Sequence, residues 1–156
     1  MSRLDSMLRR LTAQRDGLNW AAGWAPTGSV LDMGLGNGRT YDHLREILPD
    51  RRIWVMDRVL QCHPSCVPPD EDFLMGEAED TLHALADRNP SIALAHYDFG
   101  FGVKEKDVAE AARLSPLIAA VMATGGAIVS GQPLVGFEPL KGPGHIAPDR
   151  YYFYQA

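Results

Sequence analysis

The chain has 156 residues, 46% of them hydrophobic, and a formal net charge of -5. A chain of this length can bury one sizeable core, so we predict a single domain over residues 1–156. The mild negative charge and the lack of any run of Lys or Arg disfavour nucleic acid as a partner. No segment approaches the roughly 20 apolar residues of a membrane span, and the charged N-terminus is unlike a signal peptide. We therefore expect a cytoplasmic protein that does not bind a membrane.

A helical N-terminal extension is predicted over residues 1–25. Four apolar residues at helical spacing indicate an amphipathic helix as far as about Arg15; they are Leu4, Met7, Leu8 and Leu11. Beyond this extension, short apolar runs alternate with helical stretches. That alternation is typical of a parallel sheet whose strands are joined by crossover helices.

The predicted strands cover residues 29–33, 53–56, 72–75, 92–97, 126–130 and 151–154, and the predicted helices cover residues 40–48, 78–88 and 106–123. Residues 132–149 are rich in Gly and Pro, which predicts a loop or a short edge strand. The fold class that follows is α/β. It consists of one Rossmann-like, doubly wound, mostly parallel sheet with helices on both faces.

An acidic residue and three alternating glycines lie between the first predicted strand and its helix; they are Asp32, Gly34, Gly36 and Gly38. Glycine suits such a turn because a Cβ would block a close ligand or the positive φ that the turn needs. The first N–H groups of the following helix favour a carboxylate or phosphate. The turn by itself is also compatible with a tight strand-to-helix connection that binds nothing.

Two further acidic strand ends favour a ligand site. Asp57 ends the second predicted strand 19 positions after Gly38, close to the spacing of roughly 20 residues at which a doubly wound fold places its ribose-binding acid. The third predicted strand is followed by Gly76 and Glu77. Because the strands are predicted to be parallel, their carboxyl ends share one crevice.

Taken in order, these motifs resemble the class I S-adenosylmethionine-dependent methyltransferases. Asp32-x-Gly34-x-Gly36-x-Gly38 is similar to the first motif of the family, Asp57 to the second, Gly76-Glu77-Ala78 to the motif after the third strand, and Asp98 to the acid that ends the fourth. The resemblance covers about residues 29–130. The short chain is also similar to small stand-alone bacterial members of unassigned substrate.

The resemblance implies that S-adenosylmethionine is the cofactor and that its contacts are Asp32, Met33, Gly34, Gly36, Gly38, Asp57, Arg58, Glu77 and Ala78. Asp32 would lie near the amino group of the cofactor, Asp57 at the ribose hydroxyls and Glu77 or Ala78 at the adenine. Asp98 is the predicted catalytic residue, either as a general base or as the group that orients the acceptor. The expected activity is methyl transfer to an unidentified acceptor, with a small molecule favoured and a homo-oligomer possible.

Two other functions compete with this interpretation. A nicotinamide-dependent oxidoreductase is disfavoured because its Gly-x-Gly-x-x-Gly fingerprint would need glycine where Arg39 stands. A non-catalytic cofactor-binding or assembly subunit is the other alternative. Labelled methyl transfer distinguishes an enzyme from such a subunit, and stabilisation by cofactor distinguishes a binding protein from an empty scaffold.

Several reactive side chains have simpler interpretations. Cys62, His63 and Cys66 lie close together, but a structural zinc site needs four ligands, so we predict no metal and expect the thiols to pack as apolar groups. His96 falls inside a predicted strand and is interpreted as a satisfied core residue. His145 is interpreted as part of a surface loop, and Tyr151 as a packing residue.

Overall fold

The computed structural model describes all 156 residues. Its seven strands are β1 (Ser29–Met33), β2 (Ile53–Asp57), β3 (Phe73–Met75), β4 (Ile92–Tyr97), β5 (Met122–Ser130), β6 (Glu138–Leu140) and β7 (Tyr152–Gln155). Its four helices are α1 (Arg3–Ala22), α2 (Arg39–Ile47), α3 (Ala78–Asp87) and α4 (Lys104–Val121). Short 3-10 turns cover Pro64–Cys66 and Asp70–Asp72.

The strands form one sheet in the order β3-β2-β1-β4-β5-β7-β6. The first five strands of this order pair in parallel, and β7 and β6 add an antiparallel edge. This confirms the predicted fold class, a doubly wound and mostly parallel sheet. The strand order reverses between β1 and β4, so the crevice for ligands is expected at their carboxyl ends.

Helices cover both faces of the sheet. Neighbouring residues of β1 point to opposite faces, so Leu31 packs with α3 and α4 while Val30 packs with α1 and α2. Residues of β1 and β4 are buried because their strands are central and covered on both sides. The helix residues in the two cores are Leu82, Leu85, Ala111, Leu114 and Ile118 on one face, and Ala13, Leu18, Ala21, Tyr41 and Leu44 on the other.

The N-terminal helix is longer than the sequence predicted. It begins at a capping box between Ser2 and Asp5 and continues to Ala22 instead of ending near Arg15. The apolar side chains that suggested it do not pack, since Leu4, Met7 and Leu8 are 66%, 57% and 54% exposed. The helix packs instead through its second half, where Leu18 is buried together with the small residues Gly17 and Ala21.

Gly17 shows why small residues matter in this contact. A Cβ on Gly17 would lie 2.8 Å from Cε1 of Phe153 on β7, so glycine lets the helix lie close to the sheet. Helix contacts that depend on small residues carry little hydrophobic periodicity, which is why the sequence prediction stopped too early.

The C-terminal region resolves an alternative that the sequence left open. Residues 132–149 contain β6, a short strand at the edge of the sheet, where Pro139 is tolerated. β5 begins at Met122, earlier than predicted, and β7 starts one residue later than predicted. None of the four helices combines the length and the apolar character needed to cross a bilayer.

Candidate active site

A cavity of about 530 Å³ opens at the carboxyl ends of β1, β2, β3 and β4 and is called the larger cavity below. Seven of the predicted site residues line it: Gly34, Gly36, Asp57, Arg58, Glu77, Ala78 and Asp98. Helix α1 closes one side of it through Met7, Arg10, Leu11 and Gln14. The volume lies within the range of roughly 300–1,000 Å³ that small-molecule and cofactor sites occupy.

The three glycines after β1 meet different requirements. At Gly34, where φ is +100°, an added Cβ would lie 2.7 Å from the carbonyl oxygen of Asp98, so the protein itself excludes a side chain. At Gly38 an added Cβ would collide with the Cβ of Cys66. At Gly36 an added Cβ meets no protein atom within 4 Å, because the backbone there borders the open cavity. Gly36 is therefore the position where a ligand approaches bare backbone.

The carboxylate of Asp57 faces the glycine turn. Its Oδ2 accepts a hydrogen bond from the N–H of Gly36 at 2.9 Å, and its Oδ1 accepts one from the N–H of Arg58 at 2.7 Å. Each carboxylate oxygen keeps a further lone pair, so the group can still accept hydrogen bonds from two ligand hydroxyls. The two backbone contacts hold the carboxylate in a fixed orientation at the rim of the cavity.

Glu77 and Ala78 form the next part of the wall. Glu77 is the exposed residue before α3, and Ala78 is the first residue of that helix. Gly76, with φ of +154°, turns the chain from β3 toward them. Phe99 and Phe101 from the segment after β4 line the same cavity and offer it aromatic surface.

Asp98 lies where the larger cavity meets a second one of about 360 Å³, called the smaller cavity below. Its Oδ1 accepts a hydrogen bond from Arg10 at 2.8 Å and its Oδ2 accepts one from Gln14 at 3.1 Å, so both oxygens bind α1. The carboxylate is 22% exposed. The smaller cavity is also lined by Gly131, Gln132, Arg150 and Tyr151.

Comparison with known proteins identifies the family of this chain. A profile of the S-adenosyl-L-methionine methyltransferase family matches residues 1–156. The crystal structure of an S-adenosyl-L-methionine methyl transferase from Silicibacter pomeroyi DSS-3 is 36% identical with a TM-score of 0.89, covering 99% of this chain and 98% of that chain. This chain belongs to the S-adenosyl-L-methionine methyltransferase family.

More distant structures share the fold of this methyltransferase. Human Methyltransferase-like protein 13 in complex with SAH has a TM-score of 0.55 at 11% identity, covering 97% of this chain and 80% of that one. The antibiotic-resistance methyltransferase Kmr has a TM-score of 0.53 at 14% identity, covering 94% and 90%. No curated protein matches the sequence.

The family establishes the activity and the cofactor. The protein is an S-adenosylmethionine-dependent methyltransferase, as the sequence motifs indicated. The alternatives of a nicotinamide-dependent oxidoreductase and of a non-catalytic subunit are thereby set aside. Gly36 and Asp57 fit an adenosyl ligand, because they offer open space over backbone and oriented acceptors for hydroxyl groups.

Three of the predicted cofactor residues do not line the larger cavity of the methyltransferase. Asp32 is fully buried beneath the glycine turn, where its carboxylate accepts hydrogen bonds from His96 at 2.9 Å and from Thr40 at 3.2 Å. The Met33 side chain is buried in the core, and Gly38 packs against the Cys66 turn. These three residues lie behind or beside the turn and not in the wall of the larger cavity, and their contact with the cofactor stays a prediction.

His96 is buried as predicted, and both of its ring nitrogens have partners. Nδ1 is 2.9 Å from Oδ1 of Asp32, and Nε2 is 2.8 Å from the hydroxyl of Tyr151. Burial lowers the pKa of His96, but the hydrogen bond and the charge of Asp32 outweigh it and the net shift is upward. Burial raises the pKa of Tyr151 well above its ordinary value.

Arg10 and Gln14 were not predicted as site residues, and Tyr151 was predicted only as a packing residue. They reach Asp98 and the smaller cavity from opposite ends of the chain, a proximity that no local motif encodes. Only the structure shows that Gln14 is 6% exposed among the buried residues of α1. A buried amide needs a partner, so its position indicated a polar group opposite.

The remaining candidates behave as ordinary structural residues. Cys66 is buried and packs beside Gly38, as expected of a thiol that acts as a small apolar group. His145 lies on the surface, where Nε2 is 2.7 Å from Oδ2 of Asp16 on α1. That contact joins the loop before β7 to the N-terminal helix.

Proposed function

We propose that S-adenosylmethionine lies across the larger cavity with its ribose hydroxyls at Asp57, its adenine beside Glu77 and Ala78, and its reactive end toward Asp98. The single observation that carries this arrangement is the open space over Gly36 next to the oriented carboxylate of Asp57. Met33, Asp32 and Gly38 support the turn from below in this proposal. Gly34 and Arg58 border the ligand through their backbone.

The carboxylate end of the cofactor is assigned to the beginning of α2. Asn37, Arg39 and Thr40 line the larger cavity there, and the first N–H groups of a helix favour an anion. The Arg39 guanidinium is engaged in no ion pair within the protein, so it is free to bind a carboxylate.

The proposed acceptor is a small molecule that enters the smaller cavity beside Asp98. S-adenosylmethionine supplies an activated methyl group, so the protein has to align the acceptor and exclude water, effects worth up to roughly 7–11 kcal/mol. Asp98 borders both cavities and is proposed to orient the nucleophilic group of the acceptor. At about 360 Å³ the smaller cavity suits a small ligand better than a polymer.

We also propose that the protein forms a homo-oligomer. The outer face of α1 exposes Leu4, Met7 and Leu8 next to the larger cavity, and a second copy would cover this apolar surface. Light scattering coupled to size-exclusion chromatography tests the proposal. A Leu4→Glu, Leu8→Glu variant is expected to elute as a smaller species, and an unchanged mass would contradict the role of this face.

Two measurements test the assignment of the site. Calorimetry should show that S-adenosylhomocysteine binds, with a stabilisation of about 2.7 kcal/mol at 100 times its Kd. Incubation with methyl-labelled cofactor and a cell extract should then place the label in the low-molecular-weight fraction. Label in nucleic acid or protein would contradict the proposal that the acceptor is a small molecule. Binding of a nicotinamide dinucleotide instead of S-adenosylhomocysteine would contradict the proposed cofactor arrangement.

A further inference from the structure

A chain of buried polar side chains runs behind the smaller cavity. Asp32 and His96 are fully buried on neighbouring positions of β1 and β4, and Tyr151 is 2% exposed. They are joined in the order Asp32, His96, Tyr151 by the two contacts of 2.9 Å and 2.8 Å. Of the three, only Tyr151 lines either of the two cavities described above.

The end of this chain faces an open space. A Cβ built on Gly131 would lie 3.4 Å from Oδ1 of Asp98 and 3.7 Å from the hydroxyl of Tyr151, which are ordinary contact distances. An atom the size of a methyl group therefore fits between the carboxylate and the hydroxyl without moving either. Gly131 leaves that space to whatever occupies the smaller cavity.

We propose that Tyr151, backed by His96 and Asp32, receives the proton of a small-molecule acceptor whose nucleophile is an N–H or O–H group bound beside Gly131. This inference rests on the proposed function, since it places the acceptor in the smaller cavity. In this arrangement Tyr151 is a catalytic residue, and His96 and Asp32 are positioning residues that act through it. Asp98 orients the same acceptor from the opposite side.

The proton transfer balances in charge and in atoms. The acceptor nitrogen or oxygen forms a bond to the methyl carbon as the methyl–sulfur bond breaks, and the electron pair of that bond remains on sulfur. The proton of the acceptor passes to the Tyr151 oxygen, and the Tyr151 proton passes to Nε2 of His96. The positive charge lost at sulfur thereby appears on His96, where the Asp32 carboxylate stabilises it.

The buried environment decides how the proton moves. The pKa of Tyr151 is raised well above its ordinary value by burial, so its hydroxyl passes a proton on without ionising first. His96 accepts a proton only while it is neutral, and its pKa is raised by Asp32. The groups that act on His96 are Asp32, Tyr151, Asp98 and Arg10. Proton transfer through Tyr151 to His96 is therefore expected to stop as the pH falls through the pKa of His96.

Nitrogen-15 NMR of the protein saturated with S-adenosylhomocysteine tests the relay without an acceptor. His96 should be neutral with the proton on Nδ1 at high pH, and it should titrate with a midpoint above the ordinary value of about 6.5. Tyr151→Phe should shift the Nε2 resonance, whereas the control Tyr152→Phe should not. A His96 that stays protonated to about pH 9, or that carries its proton on Nε2 when neutral, overturns the proposal.

Transfer of labelled methyl groups to a low-molecular-weight extract supplies the kinetic test. Tyr151→Phe and Gly131→Ala should each slow transfer about 100-fold or more while S-adenosylhomocysteine binds as in the wild type. In His96→Gln, the rate of methyl transfer should no longer decrease at low pH. A wild-type rate of methyl transfer and an unchanged pH profile in Tyr151→Phe would overturn the relay. If the wild-type protein labels no small molecule, the proposed function is overturned instead.

Discussion

The larger and the smaller cavity are built in different ways. Turns that directly follow β1, β2 and β3 supply much of the larger cavity, including the N–H of Gly36 and the carboxylate of Asp57, and α1 closes one side of it. The smaller cavity is formed by residues far apart in the chain, with Arg10 from α1, Asp98 after β4 and Tyr151 before β7. The difference implies that cofactor binding depends on local backbone geometry, while acceptor binding depends on how distant elements pack.

The largest effect is expected at Gly36. Gly36→Val puts a branched side chain into the open space over the glycine turn and onto a residue with φ of +50°, so S-adenosylhomocysteine should no longer bind at millimolar concentration. Gly136→Val is the matched control, because Gly136 also has positive φ and open surroundings but lies outside both cavities. Calorimetry measures the binding of S-adenosylhomocysteine by both variants. An equal loss of binding in the two variants would show that the effect comes from backbone strain.

A smaller but still large effect is expected at Asp98. Asp98→Asn keeps the size of the side chain but removes its charge, so methyl transfer should slow by roughly 100- to 10,000-fold while the Kd of S-adenosylhomocysteine changes little. Single-turnover transfer of labelled methyl to the low-molecular-weight extract measures the rate. An unchanged rate would mean that Asp98 only anchors Arg10 and Gln14, and would remove it from the active site.

Asp57 should matter for binding more than for the rate. Asp57→Ala removes charge-assisted hydrogen bonds that are each worth about 1.5–3 kcal/mol, and water replaces part of that contribution in the variant. The Kd of S-adenosylhomocysteine should therefore rise on the order of 10- to 100-fold. Asp57→Asn keeps one acceptor oxygen and should fall between the wild type and the alanine variant. Calorimetry that finds wild-type affinity in Asp57→Ala would place the ribose elsewhere.

The smallest effect concerns the surface anchor of α1. Hydrogen bonds from Arg15 and His145 lower the pKa of Asp16. Burial acts in the opposite direction, but the net shift of this pKa is downward. Because the pKa of Asp16 is lowered in the folded protein, its contacts with Arg15 and His145 stabilise the fold at pH values above the ordinary carboxyl pKa of about 3.9. This stabilisation is lost as the pH falls through the pKa that Asp16 has in the folded protein. Asp16→Asn should therefore cost less than about 1 kcal/mol at neutral pH and nothing in strong acid.

Thermal unfolding at several pH values measures this difference. The control is Asp87→Asn, since Asp87 at the end of α3 forms no ion pair. A cost at neutral pH that persists in acid would show that Asp16 acts through its packing and not through its charge.

The elements of the sheet were predictable because their signals are local. Buried parallel strands form short apolar runs, and each strand end is marked by a glycine or an acid, as at Gly34 and Asp57. The α1 boundary was not predictable to the same degree. Its second half packs through Leu18 and through small residues such as Gly17, and small residues weaken the apolar stripe that marks the buried face of a helix.

The fold class, the cofactor and seven of the residues that border the larger cavity could therefore be predicted from the sequence. Only the tertiary structure decided that Asp32 turns away from that cavity to bind His96, and that Tyr151 and Arg10 meet around Asp98. The physical reason is the range of the interactions. A turn that binds a ligand through its own backbone is specified within a few residues, whereas a buried hydrogen-bond chain joins groups brought together only when the sheet and α1 have packed.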